Sequence, residues 1–193
     1  MRIVFFGSSD FAIPSLKALK AGGSSPDLVV TKPDAPRGRG RKIYDSDVKL
    51  GAQELGLTCL QPSDPHGTEF LDQLRKLKPD LGIVVSYGVI LKPELLALPK
   101  LGMLNAHASL LPLYRGAAPI QRAIRDGRTE TGVTIMRIVE QLDAGDVLLT
   151  KPTPIGPKEN AGALRDRLAE LSGVALLEAL QLLEAGKAKF TPQ

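Results

Sequence analysis

With 193 residues, a 43% hydrophobic fraction and no Trp among 4% aromatics, the chain has the length and composition for one domain with an aliphatic core, and its net charge of +4 permits a nucleic-acid partner without demanding one. A single cysteine, Cys59, excludes an intrachain disulfide and a cysteine metal cage, and two histidines far apart in sequence give poor support to a histidine metal site. No run approaches the ~20 apolar residues of a membrane-spanning helix, and the first apolar run is too short for a signal-peptide core, so a soluble cytoplasmic protein without membrane contact is expected.

Residues 2–7 read as a buried strand ending in a turn, and Asp10 is placed to cap a helix carrying Leu16 and Leu19. Strand, tight turn and helix is how dinucleotide-binding domains begin. Yet Gly7-Ser-Ser-Asp-Phe11 lacks the remaining glycines of G-x-G-x-x-G, which let backbone approach a pyrophosphate. The expectation is a Rossmann-like topology without a nicotinamide cofactor. Residues 27–31 predict a second strand leading into residues 32–42. Two prolines and two glycines there argue against a regular element. Five basic residues, among them Arg37, Arg39, Arg41 and Lys42, face one acid, Asp34. Composition alone favours a solvated surface loop.

Val48, Ala52 and Leu55 predict a helix over residues 45–55, and residues 58–61 a short strand in which Cys59 packs as a small hydrophobe. His66 lies in a turn-rich segment and reads as structural. Phe70, Leu74 and Leu77 mark an amphipathic helix. The continuously apolar residues 81–85 predict a central strand, running into Ser86-Tyr-Gly-Val-Ile-Leu91. Residues 117–126 look helical, residues 132–139 and 147–150 strand-like, and residues 160–185 a long closing helix with Leu164, Leu168, Leu171 and Val174 inward. Alternating strands and helices indicate an α/β fold, mostly a parallel sheet with helices on both faces.

The most informative stretch is LGMLNAHASLLPLYRG, residues 101–116. Its apolar content suits a buried strand, but Asn105 and His107 sit inside it, two apart and so on one face. An unpaired buried polar group costs about 1–3 kcal/mol, so the pair calls for a reason. Pro112 soon after ends the strand, placing both residues near its carboxyl end, where open α/β sheets bind ligands. Asp143 and Asp146 share a later turn, where Asp is common for local hydrogen bonding alone.

Asn105-x-His107, Ser109-Leu-Leu-Pro112 and Arg115-Gly116 together resemble the folate-dependent formyltransferases. The segments Tyr114-Arg-Gly-Ala-Ala-Pro-Ile-Gln121, Glu130-Thr-Gly-Val-Thr-Ile-Met136 and Leu142-Asp-Ala-Gly-Asp146 are similar to the methionyl-tRNA branch of that family. The resemblance extends over almost the whole chain. Ala108 stands where the family usually has Gly, a difference of one methyl group.

The resemblance implies a formyltransferase-type catalytic domain over residues 1–193, with the family's C-terminal β-barrel domain absent from this sequence. It implies transfer of a formyl group from 10-formyltetrahydrofolate to the α-amine of methionyl initiator tRNA, by a monomer that needs no metal. Asn105, His107 and Asp143 would be catalytic: Asn105 as a neutral donor, His107 as oxyanion donor and proton relay, Asp143 as the group that orients the imidazole. Tyr87, Gly88, Val89, Ile90, Ser109, Leu110, Leu111 and Pro112 would bind folate, the first four through backbone groups. Arg37, Arg39, Arg41 and Lys42 would meet the acceptor end of the tRNA. A formyltransferase acting on a small amine, such as glycinamide ribonucleotide or an amino sugar, would share the three catalytic residues without needing the basic loop. A dinucleotide-dependent oxidoreductase and a non-catalytic folate-binding domain are the readings from other classes.

Overall fold

The structure, a computed structural model, describes residues 1–37 and 42–193. The chain clusters into two compact units, Met1–Met103 and Leu104–Gln193. Among the described residues the main sheet has seven strands.

The first unit runs β1 (Ile3–Gly7), a 3₁₀ turn (Asp10–Ala12), α1 (Ile13–Ala21), β2 (Leu28–Val30), β3 (Ala35–Arg37), β4 (Lys42–Tyr44), α2 (Asp47–Glu54), β5 (Cys59–Leu60), α3 (Thr68–Leu77), β6 (Leu81–Val85) and α4 (Pro93–Leu96). Its share of the sheet is ordered β5-β2-β1-β6, and each of these pairings is parallel. Every residue of β1 and β6 is buried, as central strands covered on both faces require. From β1 the chain steps outward through β2 to β5, then returns across β1 to β6. Parallel crossovers are right-handed, so reversing direction moves the connecting helix to the other face. Thus α1 and α2, which pack together, lie opposite α3. The reversal sits between β1 and β6, the position where doubly wound sheets open a crevice at their carboxyl edge.

Two local expectations fail in this unit. Asp10 does not cap α1; it opens the 3₁₀ turn, its carboxylate accepting the Phe11 N–H at 3.1 Å. The helix begins at Ile13 with Pro14 in its first turn, where a missing N–H leaves no hydrogen bond unmade. The proline- and glycine-bearing segment does contain regular structure, since β3 and β4 pair antiparallel from Ala35↔Tyr44 to Arg37↔Lys42. Each strand of such a ribbon keeps an open edge, and there Pro36 needs no donor. Asp34, just before this ribbon, gathers three donors: Lys49 Nζ at 2.6 Å, Gln61 Nε2 at 2.7 Å and the Ser46 N–H at 3.2 Å. The Lys49 ammonium, helped by Gln61, holds its carboxyl down at about 2.

The second unit runs β7 (Met103–His107), α5 (Pro119–Arg125), β8 (Glu130–Arg137), β9 (Val147–Pro154) and α6 (Ala161–Glu184). Here β7-β8 and β8-β9 are antiparallel, the part of the sheet that departs from the parallel rule. β9 runs four residues past its predicted end, through Pro152 and Pro154. It pairs along that stretch with β8 alone, so its other edge tolerates the prolines. Asn160 caps α6, its side chain accepting the Ala163 N–H at 3.0 Å. Leu164, Leu168, Leu176 and Leu180 form the buried stripe that lies on β8, β9 and α5, each such leucine contributing about 1.5–3 kcal/mol by burial. Val174, expected inward, is 55% exposed, because the stripe follows every fourth residue from Leu164.

Gly132 on β8 marks the closest approach to β9. A Cβ there would strike the Lys151 carbonyl and come within 2.6 Å of Leu110 Cδ2. Gly132→Ala is therefore expected to destabilise by about 1–3 kcal/mol, read as a lower midpoint in thermal unfolding followed by circular dichroism. The Asp34 cluster makes a pH prediction. A carboxyl depressed from 3.8 to about 2 stabilises the fold above its unfolded value, and that contribution disappears as pH falls through this window. Asp34→Asn should flatten acid unfolding across the same range; an unchanged acid limb would mean that the cluster is energetically idle.

Candidate functional site

The crevice of the first unit is built at the ends of β1 and β6. Ser8 N–H donates to the Ser86 carbonyl at 3.2 Å, and the Ser9 and Ser86 hydroxyls meet at 2.7 Å. Ser86 and Gly88 both take left-handed backbone, with φ of 49° and 68°. Lys32 Nζ donates to the Gly88 carbonyl at 2.8 Å, and a Cβ on Gly88 would lie 2.9 Å from that ammonium, so glycine is what lets the two meet. Tyr87 turns inward: its ring is buried, edge-on to Phe6 at 5.5 Å, and burial pushes its hydroxyl up to about 12. Its side chain is thus core, and its backbone is what it can offer a ligand. Gly88 and Ile90 are exposed and Val89 half-buried. His66, read as structural, bridges through Nε2 to the Ile90 carbonyl at 3.0 Å.

The second unit holds the polar pair. Asn105 and His107 share one face of β7, opposite Met136 and Thr134 of β8. Asn105 is half-buried, and among the described residues its amide has no hydrogen-bond partner, leaving donors open. His107 is 7% exposed. Its Nε2 donates to the Tyr114 carbonyl at 3.0 Å, and its Nδ1 lies 3.5 Å from Asp143 Oδ2. Both ring nitrogens therefore face acceptors. A neutral imidazole has one N–H and satisfies one of them; the protonated ring has two and satisfies both.

Asp143 reaches this position from 36 residues away because its turn is fixed on several sides. Its own φ is 48°, and its Oδ2 accepts the Gly116 N–H at 2.9 Å. Next in the turn, Gly145 lies directly over the Arg137 carbonyl, which any Cβ would hit. The Gln193 amide donates to the carbonyls of Asp143 at 3.1 Å and Gly145 at 2.7 Å, while its oxygen accepts from Arg115 Nε at 2.9 Å. Asp146 belongs to the turn rather than to the imidazole: its carbonyl accepts the Arg137 N–H at 2.9 Å.

The segment after β7 is self-contained. The Ser109 hydroxyl is buried and donates to the Leu113 carbonyl at 2.6 Å, so it is committed to its own loop. Thr134 Oγ1 donates to the Ser109 carbonyl at 2.7 Å and accepts the Leu111 N–H at 3.1 Å. Leu111 is buried, Leu110 half-buried and Pro112 exposed. Arg39 and Arg41 lie outside the described residues, and for Arg37 and Lys42 only the strand backbone is described.

The structure thus brings His107 and Asp143 together and sets Asn105 on the same strand face. Sequence reading missed Lys32, the Tyr114 carbonyl and Gln193. The carbonyl carries no side-chain signal, and Gln193 stands in no motif.

A family model described as formyl transferase matches residues 1–180. The methionyl-tRNA formyltransferase of Moorella thermoacetica is 51% identical over 193 residues, all of this chain and 62% of that protein. That of Xylella fastidiosa strain M12 is 52% identical over 186 residues, 96% of this chain and 60% of that protein. The chain thus spans about three fifths of these relatives' length. A crystal structure of phosphoribosylglycinamide formyltransferase from Anaplasma phagocytophilum superposes with a TM-score of 0.81 at 21% identity, covering 98% of this chain and 89% of that one, a likeness of fold. With the match reaching from the first residue to 180 and the polar pair lying within it, the chain belongs to the formyl transferase family.

Proposed function

We propose that this chain transfers a formyl group from 10-formyltetrahydrofolate to the α-amine of methionyl initiator tRNA. The observation that carries the reading is the buried His107–Asp143 pair with a free Asn105 amide on the same strand face. The choice of acceptor is supported by relatives of that name at 51% and 52% identity, against 21% for the small-amine enzyme of similar fold. The reaction belongs in the cytoplasm, where aminoacylated tRNA is made, and the chain acts in it as a monomer.

An amine attacking a formamide-like carbonyl drives negative charge onto the carbonyl oxygen and must lose a proton. Two demands follow: donors aimed at that oxygen, and a group that carries the proton to the departing nitrogen. Asn105 supplies a neutral N–H₂ donor. His107 supplies a donor that can also release its proton, and it exchanges its bond to the Tyr114 carbonyl for one to substrate. Asp143, anchored by the Gly116 N–H, holds the ring in place and balances its positive form. Burial of the imidazole strengthens each of these interactions relative to water. Folate recognition is assigned to the backbone of Tyr87, Gly88, Val89 and Ile90, and separately to Leu110, Leu111 and Pro112. The side chains of Tyr87 and Ser109 are spent within the protein, so Tyr87 offers its backbone and Ser109 holds its loop in place.

The direct test is formyl transfer to charged initiator tRNA in a panel with glycinamide ribonucleotide and an amino-sugar nucleotide; preferential use of either small amine would overturn the reading. Within it, His107→Ala should lower kcat by about 10²–10³-fold, the worth of one oxyanion donor, with folate affinity by calorimetry nearly unchanged. Asp143→Asn keeps an acceptor for Gly116 and removes the charge. It should reduce kcat while leaving KM for folate in place, and wild-type turnover in that variant would reduce Asp143 to a turn residue.

A further inference from the structure

We propose that the exposed arginine cluster around Tyr114, on α5 and the loop after it, is a second docking surface for single-stranded RNA, seating the unpaired 3′ end of the acceptor. The proposal rests on the tRNA reading above and adds to it residues other than Arg37, Arg39, Arg41 and Lys42. Residues 114–128 contain four arginines and one acid, Asp126. Two of them approach the Tyr114 ring, with Arg122 Cζ at 5.1 Å and Arg128 Cζ at 5.8 Å from its centroid, distances at which cation–π attraction acts. Its hydroxyl donates to Asp126 Oδ2 at 3.1 Å and accepts from Arg128 Nε at 2.9 Å. Arg122 Nη1 donates to the Arg115 carbonyl at 2.9 Å. Arg122 and Arg128 are thereby each tied to the loop by a hydrogen bond as well as to the ring, and lose less freedom when they bind. Arg125 and Arg128 are exposed, Arg125 donating through Nε to Asp126 Oδ1 at 3.0 Å.

Three features select RNA ends over other polyanions. A planar guanidinium pairs with phosphate and stacks on an unpaired base. Arg128 also borders a cleft lined by Ile124, Ile155 and Pro157 together with Thr129 and Glu159, whose apolar side chains suit a base face and whose carboxylate, paired with Arg167, offers nothing to a phosphate. Lastly, the surface adjoins the chemistry: the carbonyl of the residue whose ring anchors it, Tyr114, is the hydrogen-bond acceptor of His107. A strand whose terminal aminoacyl group lies at His107 meets this cluster with the phosphates next to it.

The test uses Arg125→Gln together with Arg128→Gln; glutamine preserves a donor to the Tyr114 hydroxyl and removes the charge. Binding of a short oligoribonucleotide ending in CCA, read by fluorescence anisotropy, should weaken about tenfold. Its salt dependence should flatten by about 0.7 log units per log salt for each phosphate that is no longer neutralised, with folate affinity unchanged. Arg128→Lys should retain most of the salt slope and lose part of the affinity, because an ammonium does not stack on a base. Wild-type RNA affinity and slope in the double variant would overturn the proposal, as would an acidic peptide of equal charge that binds as tightly and is released by the same variant. The acceptor panel separates the two readings: a wild-type chain that formylates the tRNA while the double variant keeps its KM for it removes this surface alone, and a chain that ignores tRNA removes the acceptor assignment.

Discussion

A buried imidazole that faces acceptors at both nitrogens is the constraint on which the second unit turns. His107 comes from β7, the Tyr114 carbonyl from the loop beyond it, and the Asp143 carboxylate from a turn between β8 and β9. These groups are brought together by the fold and not by nearness along the chain. Each polar group among them would cost about 1–3 kcal/mol if buried without a partner. Satisfying them together requires β7 and β8 to pair in one register, which sets His107 opposite Thr134. Thr134 in turn ties down Ser109 and Leu111, so one register fixes both the ring and the loop beyond it.

Both units hold backbone under strain. Among the described residues five non-glycines have positive φ, and four of them, Ser86, Tyr114, Ala118 and Asp143, lie in or beside the two candidate loop systems. Such conformations cost of order 1–3 kcal/mol each and persist where their surroundings over-determine them. The compensation is visible locally: Tyr114 and Asp143 both bond to segments outside their own turn. Rigid strands supply the foundation, and strained loops at their carboxyl ends carry the polar groups.

Much of this was legible in the residues. Continuous apolar runs announce β1 and β6, and a leucine repeat announces α6. Asn105 and His107 stand out because polar side chains interrupt a buried strand. The partner of His107 was not legible from pattern, because an Asp in a turn has an ordinary local use and the approach of Asp143 depends on the β8–β9 register. Resemblance pointed to it where spacing could not. Start and end points failed where a neighbour outvotes local preference: Pro152 and Pro154 extend β9 because its far edge makes no demand on them, and Pro36 sits in a ribbon for the same reason. The Tyr114 carbonyl, and the Gly88 carbonyl that Lys32 meets, escaped because a main-chain acceptor has no signature in an alphabet of side chains.

Gln193 carries one more consequence. Its amide spans the Asp143 turn and Arg115, and two residues earlier Thr191 exchanges both backbone hydrogen bonds with Val147 at the start of β9. The chain around residues 191–193 is therefore a tension member, stitched to the scaffold at one point and to the Asp143 turn at the next. Two of its bonds end on the main chain of that turn, at Asp143 and Gly145, so the position of Gln193 bears on the residue that carries the carboxylate beside His107.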